Sequence, residues 1–317
     1  MKMQDMIEHY KQHTVVTNPG KYSEIFKGLN LSVKETVNLV GGISAHYQRD
    51  LTHTDIVLSK ERLKEVDTRF VENIIERVFE LNQQPLTETR PMHERFMGTC
   101  RDGAVLVCSM LRSMGIAARM RYGFIHIYLD PKKPIAEHLL IEYWHPEKQQ
   151  WMFCEPRMNQ ELMDRNGITG IESDNFPLEH FIFATDAWQE VRKNRRSAVK
   201  YSDLTFKESY GLWKIRNIMM YDMASLIGFE PLVWDIWGYM IRAKRGMEPK
   251  SFFQLHLLDK LARLDLFDPE QWAEYMRLSQ RKKDLKLPKQ IKSCSPENGD
   301  YFVDMSKMNL EKQRAVS

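Results

Sequence analysis

Hydrophobic positions change their spacing twice along the chain, from helical to strand-like and back to helical. In residues 58–81, Leu63, Val66, Phe70, Ile74, Val78 and Leu81 recur three or four positions apart with charged residues between them, which predicts one amphipathic helix that Ser59 can cap. The rest of 1–84 reads as helical pieces joined by polar turns. Asn18-Pro19-Gly20 forces a turn, and the run Asn-Leu-Val-Gly-Gly at 38–42 predicts a break between two periodic pieces. A polar connection rich in Pro, Thr and Glu covers 83–96. From Cys100 a helical period resumes through Val105, Leu106, Cys108, Met110, Leu111 and Met114, and it stops at Gly115.

The period then shortens. Residues 118–129, 136–144 and 150–155 are short, aromatic and β-branched, and Asp-Pro-Lys-Lys-Pro and His-Pro-Glu-Lys-Gln separate them. That pattern predicts three antiparallel strands with tight connections. A helix feeding a small antiparallel meander is an α+β arrangement and argues against an alternating, parallel nucleotide-binding sheet. After Pro156 the chain turns irregular through Asn166-Gly167 and 174–177. Residues 202–244 then become too apolar on all sides for a surface helix, with a break near 228–231, and predict a helical cap packed on the core. The segment from 282 onward reads as an extended or loosely ordered tail. The expected organisation is an N-terminal helical segment (1–84), a core (85–200), a helical extension (201–280) and a basic tail (281–317).

Composition narrows the partners. In 317 residues, 46 basic and 43 acidic side chains nearly cancel to +3, so no whole-chain field demands nucleic acid or an anionic membrane. Basic residues cluster at 192–196 and 281–292, but neither run interleaves aromatics as single-strand binders do, and both read as solvated faces. Four cysteines, Cys100, Cys108, Cys154 and Cys294, form no closely spaced pair of the zinc or redox kind, which fits reduced thiols in a cytosol. The N-terminal residues lack a signal-peptide apolar core and no run is long enough to span a bilayer, so a soluble cytoplasmic protein is expected. No cofactor is implied, the histidines and cysteines do not group as metal ligands, and no oxygen-rich loop suggests calcium.

Against this background the stretch 98–156 carries chemistry. Cys100 opens a helix, where unpaired backbone N–H groups and the macrodipole favour a thiolate. His138 lies in the second predicted strand and Glu155 at the end of the third. Glu142 shares a face with His138 but stands about 13 Å further along the strand, too far to hold the ring, which leaves Glu155 to orient it. Other polar residues here have structural readings: Cys108 and Cys154 as core residues, His126 as a satisfied strand histidine, and Asp102 as a charge in the first helical turn.

The run Gly98-Thr-Cys-Arg-Asp-Gly, followed by Leu111-Arg-Ser-Met-Gly-Ile-Ala-Ala-Arg and Tyr122-Gly-Phe, resembles the transglutaminase-like superfamily. Glu137-His138, Glu142-Tyr143-Trp144 and Trp151 ahead of Glu155-Pro156 continue the likeness over about 60 residues. A looser similarity, through Phe183-Ala-Thr-Asp-Ala-Trp, Tyr221-Asp-Met-Ala-Ser-Leu, Glu230 and Trp234-Asp-Ile-Trp-Gly, points to a bacterial branch of that superfamily. The resemblance implies a papain-like core with a Cys-His-Asp triad, carried here onto Cys100, His138 and Glu155. The chain departs from the pattern at Glu155, where aspartate is usual and the extra methylene moves the carboxylate by more than about 1 Å.

Such a site acts on an amide or thioester carbonyl in a peptide, a small molecule or a carrier-bound acyl group, and water or an amine can resolve the acyl-enzyme. The backbone N–H of Cys100, with a donor expected between residues 91 and 99, would stabilise the oxyanion. The alternative is a binding or scaffold protein that keeps the fold without the chemistry and presents the Trp-rich segment 213–240. A weaker third reading takes the basic runs as a dock for an acidic carrier protein.

Overall fold

The computed structural model describes residues 2–52, 54–126, 135–202, 209–242, 252–281 and 285–305. The N-terminal part holds α1 (Met3–Lys11), α2 (Ser23–Lys27), α3 (Val33–Ile43), β1 (Ser44–His46), α4 (Lys60–Lys64) and α5 (Val71–Leu81). Next come β2 (Phe96–Gly98), α6 (Cys100–Ser113), β3 (Ala118–His126), β4 (Ile135–His145) and β5 (Gln150–Cys154). Then follow α7 (Gln160–Asn166), β6 (Phe181–Phe183), α8 (Ala184–Arg192), β7 (Tyr201–Ser202) and α9 (Leu212–Leu226). The last described elements are β8 (Asp235–Ile236), α10 (Tyr239–Arg242), α11 (Phe252–Leu261), α12 (Pro269–Arg281), β9 (Gln290–Ser295) and β10 (Gly299–Asp304).

The central sheet runs β5-β4-β3-β6, with β7 added to β4. The expected meander β3-β4-β5 is antiparallel throughout, with Gly123 opposite His138 and Ile141 opposite Cys154. On its other edge β4 is shared: β5 covers Ile141–His145 and β7 pairs in parallel with Ile135 and Ala136. The intervening stretch of β4 carries His138. Residues 127–129 of the first expected strand, and 203–208 and 243–244 of the expected helical segment, lie outside the described residues. β6 and β7 are too short to show a period and were not expected.

α6 is buried from Cys100 to Arg112 and packs against α3, β3 and β4. Val37, Val40 and Ile43 of α3, Ile74 and Val78 of α5, and Val105, Leu106 and Leu111 of α6 form one continuous apolar core with Leu139 and Ile141 of β4. α9 lies along β3, and the junction is ionic. Asp222 accepts from Arg121 Nε at 3.1 Å and from the Tyr122 N–H at 2.7 Å, while Glu142 accepts from Arg119 and from Arg121 Nη1. All four charged side chains are buried.

Three expectations are corrected. The single helix over 58–81 is divided into α4, a 3₁₀ turn at Glu65–Asp67 and α5. Long-range bonds hold the break open: Asp67 accepts from the Trp234 indole at 2.8 Å, Arg69 pairs with Asp235 at 2.6 Å, and Val71 N–H donates to Val16 O at 2.9 Å. Ser59 does cap α4, accepting from the Arg62 N–H at 3.3 Å. The expected break at 38–42 is absent because α3 runs through Gly41 and Gly42. A Cβ on Gly41 would lie 1.9 Å from the Asn159 side chain, so the glycine serves close packing and not chain reversal. The expected loose tail contains the β9–β10 hairpin, paired with β8, while 306–317 lie outside the described residues.

Candidate active site

Residues at the start of α6 are tied down by their own neighbours. The Thr99 N–H donates to Asp102 Oδ2 at 2.7 Å and its hydroxyl donates to the same oxygen at 3.0 Å. Asp102 thus caps the helix, as the structural reading of that residue anticipates, and burial raises its pKa despite Arg101 beside it. Arg101 is fully buried and donates to Asp102 Oδ1 at 3.0 Å, to Arg69 O at 2.8 Å and to Glu230 O at 2.7 Å. Gly98 has to be small, because a Cβ there would sit 2.7 Å from Asp102 Oδ2. Cys100 is thereby fixed at the first turn of α6, only 8% exposed.

His138 Nε2–H donates to Glu155 Oε1 at 2.6 Å. Extending the β5 register by one residue sets Glu155 opposite Leu140, and His138 lies two positions along the same face of β4. This is the diagonal relation in a sheet, about 7–8 Å between backbones, which long side chains bridge. The added methylene of glutamate supplies that reach. His138 Nδ1 is buried and has no hydrogen-bond partner. Burial opposes a charge on the ring, but the Glu155 carboxylate and the Cys100 sulfur outweigh it and raise the pKa from 6.5 to about 9. Cys100 and Glu155 therefore address the same imidazole, although the thiol makes no hydrogen bond of ordinary geometry to it.

Arg157 joins the pieces around this centre. Its N–H donates to Glu155 Oε1 at 3.3 Å, its stem packs over Gly103 of α6, where a Cβ would lie 2.7 Å from Arg157 Cδ, and its guanidinium reaches Ser44 Oγ at 3.2 Å and Asp50. Asp50 in turn accepts the His46 N–H at 2.7 Å. β1 and β2 pair in parallel, with His46 opposite Gly98 and the Tyr47 N–H donating to Gly98 O at 2.9 Å. His46 thus stands at the entrance to α6, although it precedes Cys100 by more than fifty residues. No local motif marks it; only the pairing of two three-residue strands brings it there.

The remaining polar residues keep structural roles. Burial pushes the Cys108 thiol up to about 12 and raises that of Cys154 well above its ordinary value. Glu142 is taken up by Arg119 and Arg121. His126 ends β3 opposite Ile135, about 10 Å along the sheet from the Gly123–His138 pair. In the basic run at 192–196, Arg192 pairs with Asp259 and Arg196 with Glu190. Among the described residues no group of three or more His, Cys, Asp or Glu is placed to hold a metal ion, and no helix is long and apolar enough to cross a membrane.

Residues 54–156 match the sequence model of the Transglutaminase-like superfamily. The matched span contains α4 through β5 and ends just past Glu155. No curated protein is similar to the chain at a significant level. One solved structure, named "Putative Cysteine Protease from Cytophaga hutchinsonii", is 13% identical with a TM-score of 0.32, over 58% of this chain and 46% of that one. The chain therefore spans less than half the length of that neighbour. With its buried helix leading into an antiparallel meander, the stretch 54–156 is a transglutaminase-like core of the α+β, papain-like kind.

Proposed function

We propose that the protein is a cysteine-dependent enzyme that transfers the acyl group of an amide or thioester through a thioester on Cys100. The observation that carries this reading is the 2.6 Å hydrogen bond from His138 Nε2 to Glu155, which leaves Nδ1 of the same ring without a partner and Cys100 beside it. The Cys100 thiol gives its proton to Nδ1, and Sγ forms a bond to the substrate carbonyl carbon as the carbonyl π pair moves to oxygen. The tetrahedral intermediate then collapses, and the leaving amine or thiol takes the proton from His138. Water or an acceptor amine next attacks the thioester and gives a proton to His138, and the C–S bond breaks to restore the thiol. Glu155 holds the ring in the tautomer this sequence requires and favours its charged form. The superfamily match supports cysteine-based catalysis in general.

The test is acylation by p-nitrophenyl acetate, followed by intact mass and peptide mapping. A single acetyl group on Cys100, with nitrophenol release lost in Cys100→Ala, is expected. Nitrophenol release that survives in Cys100→Ala, or an unmodified Cys100 in a folded protein, would overturn the assignment and leave a binding protein built on the same core.

A further inference from the structure

The upstream oxyanion donor was expected between residues 91 and 99, but that stretch offers no free side-chain donor beside Cys100. Thr99 is engaged with Asp102, and Arg95 with Arg90 O and Glu161. A further donor belongs to β1, which pairs with the strand leading into Cys100. His46 Nδ1 accepts the backbone N–H groups of Gln48 and Arg49, both at 3.3 Å, so in the neutral ring the proton resides on Nε2. Among the described residues Nε2 has no hydrogen-bond partner, and the residue is 7% exposed.

The ring is rigid on every side. Its backbone N–H is fixed on Asp50, its face stacks on Tyr47 with an interplanar angle of 16°, and the chain on either side is paired with β2. Opposite it lies Gly98, two residues before Cys100, and parallel strands run about 4.8 Å apart. His46 therefore borders the entry to α6, close enough to His138 for the two rings to interact electrostatically, and the Cys100 N–H is among the unpaired donors of that first helical turn. Burial, with Arg49, Arg157 and His138 nearby, holds the His46 pKa well below 6.5, so the ring is neutral while the site works. A neutral imidazole in a fixed tautomer is a preorganised donor that cannot compete for the thiol proton.

We propose that His46 is a catalytic residue whose Nε2–H, together with the Cys100 backbone N–H, binds the oxyanion formed when Cys100 attacks the substrate carbonyl. The assignment rests on Cys100 being the nucleophile. The donor makes and breaks no covalent bond: it meets the oxygen as the carbonyl π pair moves onto it and is released when that pair returns.

Two reagents separate this role from any other. Iodoacetamide alkylates the thiolate by displacement at a saturated carbon and forms no oxyanion, whereas p-nitrophenyl acetate must form one. His46→Ala should alkylate at Cys100 at a rate within about twofold of wild type and acetylate about 100-fold more slowly. His46→Gln, which keeps a side-chain N–H donor, should recover at least tenfold of that loss, with thermal melting establishing that both variants fold. Equal acetylation by wild type and His46→Ala would overturn the proposal. So would a parallel fall in both reactions, which would make His46 a support for the thiolate or the fold. If wild type alkylates but never acetylates Cys100, the proposed function itself fails, and the oxyanion role fails with it.

Discussion

Glu155 reaches His138 from one residue beyond the end of β5, where its backbone has already left the sheet and its N–H donates to Ser173 O at 2.8 Å. The carboxylate therefore approaches the ring along a diagonal, and side-chain length decides whether the 2.6 Å bond forms. Glu155→Asp should withdraw the carboxylate by about 1.5 Å and lower the acetylation rate roughly tenfold. Glu155→Gln, which removes the charge that fixes the tautomer, should cost about 100-fold or more. If the aspartate variant were faster than wild type, the diagonal account would be wrong.

The raised pKa of His138 has a stability consequence with a definite sign. The folded value of about 9 exceeds the ordinary 6.5, so the folded state holds a proton that the unfolded state has released across that window. The stabilisation is complete below pH 6.5 and is lost as pH rises through 9, with a size of roughly 3 kcal/mol. Urea unfolding at pH 6 and pH 9.5 should show this fall in wild type and a much smaller one in Glu155→Gln. Equal slopes in the two proteins would show that Glu155 does not hold the charge.

Arg157 should be costly to remove. Asp50 is 8% exposed, and without the guanidinium it becomes a buried, unpaired carboxylate, so Arg157→Ala should destabilise the fold by about 3–5 kcal/mol. Gly103→Ala tests the same contact from below by pushing on the Arg157 stem. It should lower acylation with a smaller loss of stability, and denaturant titration alongside acetylation kinetics measures both.

Gly123 faces His138 across β3 and β4, and a Cβ there would lie 2.3 Å from Ile182 O and 2.6 Å from the Phe181 ring. Because the nearest atom is backbone, β6 itself must move. Gly123→Ala should cost about 1–3 kcal/mol in denaturant unfolding.

The frame of the candidate site is legible in the sequence. The onset of a helical period at Cys100 and the turn residues of the meander mark α6 and β3–β5, and the structure brings His138 and Glu155 together at 2.6 Å. What escaped was set by contacts distant in sequence. The helix expected over 58–81 divides because Asp67 and Arg69 bond to Trp234 and Asp235, and no local pattern carries that information. Gly41 and Gly42 were misread as a break because glycine for close approach and glycine for a turn look alike until Asn159 is seen against α3. His46 was invisible for a third reason: a three-residue strand has no period, and its partner β2 is equally short.

The pairing of β1 with β2 also determines how little of the chain can stand alone. The span that carries the family likeness begins at residue 54, so it omits Ser44, Ala45 and His46. A fragment cut at that boundary would leave Phe96, Met97 and Gly98 as an open strand edge of buried residues immediately before Cys100, and would strip Arg157 of both Ser44 and Asp50. The N-terminal segment is thus the foundation on which Cys100 is seated, and truncating it would dismantle the candidate site while leaving the matched span itself intact.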